Sequence, residues 1–475
     1  MQTKSKLQES PVLRVVDVAV FERPFTLRMP FRFGSYTLTH ATQALLRTTI
    51  ELPSGRATGY SAEVLLPKWF DKRPDLLPAD NEMQLRQSLR HAISAYKRID
   101  AKSAFTLFAD SYAGLMEQGS KDGVPPLVTG FGPALLDRSI VDAICRYYSC
   151  SFPDAMRRNL VGLRGHDIAP DMREFDFNRF LETRKFRSWM HARHTVGMLD
   201  ILHPEGQAHE DEPPESLLEC VRRYGNTFFK LKLSGDIRWD IDRLTNIASI
   251  LDLSDSPYFV TLDGNEQYND IQEFLALWNE VSARPALARL VASTLMVEQP
   301  IARAMAFEKS VEEMSRIRPV IIDESDGTLG SFLTAREKGY FGVSTKSCKG
   351  LYKSMINAAR CEVWNAQIGR EQYFMSAEDL IIQSGLSLQQ DLTLAAFLGI
   401  AHIERNGHHY VDGFATCGVT EASAFTASHP DLYDGTPPRL LIQSGRMSLQ
   451  SCGAAIGFST SIIPDTATDK KMEDI

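Results

Sequence analysis

The chain has 475 residues, 60 of them acidic and 52 basic, and its net charge of −8 argues against nucleic acid as the main partner. No stretch approaches the ~20 apolar residues of a membrane span, so no membrane partner is expected. The length exceeds what one core usually serves, which predicts two domains. Seven scattered cysteines without a CxxC pair, and a start lacking a signal-peptide core, predict reduced thiols in a cytoplasmic protein.

Residues 12–66 alternate like strands. "VLRVVDVAVFE" comes first, then a loop rich in Phe, Arg and Pro, then "ALLRTTIELPSGRATGYSAEV", whose "PSGR" reads as a hairpin turn. Residues 82–118 and "SIVDAICRYYSCSFPDAMRRNLVG" carry helical spacing, so 12–165 reads as an α+β domain. From about residue 195 short apolar strands alternate with helical segments: "TVGMLDI", "TFFKLKL", "YFVTLDG", "ASTLMVEQP", "PVIID", "FGVSTK", "DLIIQSG" and "HHYVDGFA". One intervening helix is "AFEKSVEEMSRI". About eight strand–helix units predict a (β/α) barrel over 186–430. Residues 431–475 fall outside that count and are expected to return to the first domain, with "DTATDKKMEDI" fraying at the end.

"FFKLKLSGD" puts Lys230 and Lys232 on one face of a strand whose apolar neighbours mark it as buried. Two buried ammonium groups are costly in an apolar setting, so the strand end must be polar. Lys232, Asp263, Glu298, Asp323 and Lys346 each end a predicted strand, at steps of 23 to 35 residues, against about 31 per unit of a ~250-residue barrel. C-terminal strand ends converge on one mouth, so the three carboxylates meet there. Together they repel unless a cation joins them, and oxygen donors of this number suit Mg²⁺, with Mn²⁺ as the alternative ion. The lysines would flank the metal. Lys349 competes with Lys346, and Glu324 with Asp323. Simpler readings exist: lysines on an edge strand, and Asp263 and Glu298 as helix N-caps. His408 and His409 follow an "NG" turn signal and fit a solvated loop as well as a substrate contact. "HARH" (191–194) has the wrong spacing for a helical metal pair, and no P-loop, G-x-S-x-G or dinucleotide fingerprint is present.

"KLK", "LDGNEQY", "VEQP", "IIDES" and "STKSCKG", in that order, resemble the enolase superfamily, and within it the muconate-lactonizing (muconate cycloisomerase) and mandelate racemase-like proteins. "LPSGRATGYSAE" is similar to the hairpin of that family's cap. The resemblance implies a barrel of the modified TIM type under an N-terminal α+β capping domain. It implies Asp263, Glu298 and Asp323 as Mg²⁺ ligands, Lys232 and Lys346 as acid/base catalysts, and Lys230 beside the substrate carboxylate. The chemistry implied is removal of the proton next to a carboxylate, giving a metal-stabilised enediolate. Cap loops "LRMPFRFGSYTLTH" and "YSAEVLLPKWFDKR" stand where the family reads the distal part of its substrate, which makes Arg32 a candidate contact. The polar segment "HIERNGHHYVDGF" makes His408 another. Departures are "KSCKGLYK", with one Gly where the family has a pair, and a long stretch between Asp263 and Glu298. The expectation is a racemase or epimerase of a small carboxylate, assembled as a homo-oligomer. Dehydratase, o-succinylbenzoate synthase-like or cycloisomerase reactions are the alternatives, and a non-catalytic scaffold relative is the alternative of another class.

Overall fold

The computed structural model describes residues 10–33, 36–204, 212–414 and 417–472. The chain opens with a long antiparallel hairpin, β1 (Arg14–Phe33) and β2 (Tyr36–Leu52), followed by β3 (Gly55–Val64). The Phe-, Arg- and Pro-rich stretch expected as a loop is the far end of this hairpin: Phe31 pairs with Leu38 and Phe33 with Tyr36. Its tip, residues 34–35, lies outside the described residues.

Helices α1 (Pro78–Arg98) and α3 (Pro126–Tyr147) pack beside this sheet, and α2 (Ala104–Lys121) packs against both helices. α3 is buried along nearly its whole length because it touches both the sheet and the barrel. Pro133 inside it has no N–H for the carbonyl of Thr129, and Ser88 Oγ of α1 donates to that carbonyl instead at 2.9 Å. At Gly59 a Cβ would lie 2.2 Å from backbone atoms of Ser139 and Ala143, so β3 meets α3 backbone to backbone.

Eight parallel strands form the second unit. They are β4 (Trp189–Val196), β5 (Phe228–Lys232), β6 (Phe259–Asp263), β7 (Thr294–Glu298), β8 (Val320–Ile322), β9 (Gly342–Thr345), β10 (Phe374–Ala377) and β11 (His402–Arg405). Each pairs with the next, and β11 pairs with β4 to close the barrel. A closed (β/α) barrel with an antiparallel capping sheet is thus the architecture.

Three strands are displaced from their sequence-based positions. β4 begins six residues before "TVGMLDI" and contains "HARH". β10 ends before "DLIIQSG", where Ile381 adopts φ 59°, and Leu380, Ile381 and Ile382 are buried in the core shared with the cap. β11 ends before "HHYVDGFA", whose His408–Tyr410 belong to the helical turn Gly407–Tyr410, with Tyr410 against Phe31 of the cap at 4.5 Å; Ala415, its last residue, lies outside the described residues. Burial beneath a second domain makes these loops as apolar as strands. The helix expected at 306–317 is a single turn, Glu312–Ser315.

Residues 431–472 tie the two units together. Arg446–Ser448 runs antiparallel to β4, and Lys470–Lys471 pairs with Phe21 and Glu22 of β1. The segment expected to fray is instead held by Arg23, which bonds Asp469 and the Asp465 carbonyl; residues 473–475 lie outside the described residues.

Candidate active site

Alternation along β5 sends Phe229 and Leu231 into the layer between strands and helices and turns Lys230 and Lys232 into the barrel. Lys230 Nζ lies 2.8 Å from Glu298 Oε1, 2.9 Å from Glu378 Oε2, 2.8 Å from Glu404 Oε2 and 3.0 Å from Asp263 Oδ2. Burial works against its charge, but the four carboxylates prevail and hold its pKa far above the ordinary range. Its three N–H groups are engaged by acids, so Lys230 is the counter-ion of the mouth, and it also lines the cavity beneath the cap.

Lys232 Nζ bonds Asp263 Oδ2 at 2.6 Å, and across the mouth Lys346 Nζ bonds Asp323 Oδ2 at 2.6 Å. Lys349 donates to Asp323 Oδ1 at 3.2 Å and to the Ser344 carbonyl at 2.9 Å. Lys349 thus anchors Asp323, while Lys346 lines the cavity between cap and barrel. Glu324 turns away, 3.5 Å from Lys72, with neither carboxylate oxygen hydrogen-bonded. Burial opposes ionisation of Asp323, yet Lys346 and Lys349 keep its carboxyl well below the usual range. Lys346 is buried too, which lowers its pKa, but Asp323 outweighs burial and raises it.

Short-range backbone geometry sets these positions. A Cβ at Gly264 would come within 2.5 Å of Pro300 Cα, so glycine allows the ends of β6 and β7 to close on each other. Gln299, at φ 33°, accepts the Asp323 N–H on its side-chain oxygen at 2.8 Å and so locks the end of β8 to that of β7.

Sequence reasoning missed Glu378, Glu404 and Arg193. Glu378 immediately follows β10 and Glu404 lies in β11, so placing those strands too late hid both acids. Arg193, inside β4, pairs with Glu378 at the barrel centre, both fully buried. Two other expected residues stand elsewhere. Arg32 is exposed, because alternation gives the cavity its neighbours Phe31 and Phe33. His408 packs against Tyr224 and His194 in the turn after β11; on that side Glu404 and Asn406 line the cavity. Lys68, from the second cap loop, donates to the carbonyls of Arg73 and Leu76.

The cavity is roofed by Phe31, Phe33, Leu66 and Trp69 of the cap, with Lys346 Nζ 4.8 Å from the centre of the Trp69 ring. It offers about 20 Å³, room for a water or so and not for an organic acid. A wider cleft lined by Lys68, Lys72, Glu266 and Arg303 adjoins it and shares Phe33 and Asn265.

The donors fit a hard cation in kind. Glu298 Oε2 is buried without a hydrogen-bond partner. Burial, with the charges of Asp263 and Glu378 beside it, pushes the Glu298 carboxyl well above its usual range, the mark of a position short of positive charge. Asp263, Glu298 and Asp323 would hold such an ion, all through oxygen. Among the described residues, however, the only three ligand atoms lying within 4.8 Å of one another belong to His194, Cys220 and His409. The carboxylates are spread by their lysines and would have to draw inward.

No family model and no curated protein matches the sequence. Solved structures do. An enolase from Bradyrhizobium in complex with magnesium and mandelic acid superimposes with a TM-score of 0.60 at 13% identity, over 96% of this chain and 97% of that one. A dipeptide epimerase from Enterococcus faecalis, in complex with Mg and L-Leu-L-Tyr, gives 0.59 at 14% identity, over 94% and 99%. The 2-chloromuconate cycloisomerase from Rhodococcus opacus gives 0.57 at 15%, over 95% and 97%. The chain has the capped-barrel fold of the enolase superfamily.

Proposed function

We propose that this protein is an enolase-superfamily enzyme that removes the proton α to the carboxylate of a small substrate, with Lys232 and Lys346 as acid/base groups. The observation that carries this reading is topological. β5 and β9 are four strands apart in a closed barrel of eight, so the two lysines face each other across one cavity. Each can serve one face of a carbon between them, which suits racemisation or epimerisation. Asp263, Glu298 and Asp323 hold Mg²⁺ in this reading, and the ion supplies the positive charge that a doubly deprotonated carboxylate needs.

The chain's own residues do the rest. Lys230 and Arg193 balance Glu378 and Glu404, so the mouth tolerates its acids without collapsing. Phe31, Phe33 and Trp69 exclude water from the reacting carbon. Because the closed cavity is too small for a substrate, the cap must part from the barrel along the Lys72–Glu266 cleft to admit one. A second reading has support in Lys346, held as an ammonium by Asp323 and by the face of Trp69. As a fixed cation rather than a base it would suit elimination or cycloisomerisation.

The test is ¹H–²H exchange at the α-carbon, in ²H₂O with Mg²⁺, across dipeptides, N-acylated amino acids and hydroxy acids of both configurations. Dipeptides come first because structural neighbours include dipeptide epimerases. Exchange of one class supports the reading. Binding without any exchange would leave a scaffold in place of an enzyme.

A further inference from the structure

Outside the mouth, on the opposite face of β4, lies a second cluster. Thr195 of that strand points inward to Glu404, and His194 points outward toward the helix Leu217–Tyr224 and the turn Gly407–Tyr410. Ligand atoms of His194, Cys220 and His409 all lie within 4.8 Å of one another, and Cys220 Sγ is 3.8 Å from His409 Nδ1. All three residues are buried, and none lines the carboxylate cavity.

An ordinary buried cluster would satisfy its polar atoms internally. This one does not. His194 Nδ1 is buried without a partner, and both ring nitrogens of His408, whose ring stands 5.5 Å from that of His194, are buried and unpartnered. One sulfur and several imidazole nitrogens are the donors of zinc and not of magnesium. For Zn–S of about 2.3 Å and Zn–N of about 2.0–2.1 Å, a tetrahedral S···N edge is about 3.5 Å, near the 3.8 Å between Cys220 Sγ and His409 Nδ1.

We propose that His194, Cys220 and His409 form a structural Zn²⁺ site, completed by an inward turn of the neighbouring His408, whose ring stands outside the set of three. Binding releases the Cys220 thiol proton to solvent. The ion joins β4, the helix after it and the turn after β11. Arg28 of the cap hairpin donates to the His409 carbonyl at 2.8 Å, so the site also fixes where the cap rests.

The experiment measures metal in the full-length protein by mass spectrometry, after zinc loading and gel filtration in chelator-treated buffer. About one zinc per chain is expected, falling at least ~10-fold in Cys220→Ser and His194→Gln, and unchanged in Glu298→Gln. Co²⁺ added to metal-stripped wild type should give a thiolate charge-transfer band that Cys220→Ser lacks. Wild type that neither keeps zinc nor shows the cobalt band overturns the site. Equal zinc in wild type and Cys220→Ser overturns it as well, by placing the metal elsewhere. Loss of zinc in Glu298→Gln would move the ion to the carboxylate mouth.

Discussion

Glu266 joins cap and barrel, and replacing it with Gln measures how firmly the cap is shut. Its carboxylate takes two bonds from Arg303, Nε to Oε1 at 2.8 Å and Nη2 to Oε2 at 2.9 Å, and a salt bridge from Lys72 of the cap. Arg303 in turn donates to the carbonyls of Trp69 and Phe70. Burial tends to raise the Glu266 pKa, but Lys72 and Arg303 outweigh it and lower it from 4.5 to about 2. A difference of that size corresponds to about 3 kcal/mol favouring the ionised, folded state, shared between Arg303 of the barrel and Lys72 of the cap, so docking accounts for the Lys72 share alone. That stability is complete above the unfolded-state pKa and is lost as pH falls from about 4.5 towards 2. Glu266→Gln should forfeit it at pH 7. Amide hydrogen exchange across residues 69–73 should then speed up by roughly 10-fold, the equivalent of about 1.4 kcal/mol in local opening from the lost Lys72 pairing. The gap between variant and wild type should narrow steadily below pH 4.5. Unchanged protection at pH 7, or a gap indifferent to acid, would refute the clamp and the cap-opening route with it.

Glu298→Gln removes a carboxylate that burial and its neighbours already disfavour, so melting in metal-free buffer should hold or rise slightly; Mg²⁺ at ~100 times its Kd should stabilise wild type by about 2.7 kcal/mol and the variant far less. An equal Mg²⁺ shift in both would remove Glu298 from the ligand set. Single replacements of Lys232 and Lys346 by Ala should each leave deuterium exchange with one enantiomer and abolish it with the other, while net racemisation vanishes; exchange with neither enantiomer in one variant and both in the other would favour elimination or cycloisomerisation. Arg193→Met leaves Glu378 buried with Lys230 as its one remaining salt-bridge partner among the described residues, and chemical denaturation should show a loss of about 3–5 kcal/mol. A loss under 1 kcal/mol would mean that Lys230 suffices for Glu378.

Local sequence carried whatever depends on neighbours along the chain. The period of two in "FFKLK" fixes that Lys230 and Lys232 share a face, and the order of strand-ending residues from Lys232 to Lys346 follows from repeated βα units. Apolar runs at 379–385 and near 410 misled, because hydrophobicity reports burial and not its cause. Those loops are covered by the cap, and the true strands before them are short. Pairing across the barrel was beyond local reading. Lys230 meets acids at the ends of four other strands, and Lys346 is paired with Asp323. Arg32 and His408 leave the cavity for the same reason: a side chain's direction at a domain junction depends on the register of the hairpin and on what packs behind the strand. His194, Cys220 and His409 are separated by 26 and 189 residues in sequence, and only closure of β11 onto β4 brings their nitrogens and sulfur together.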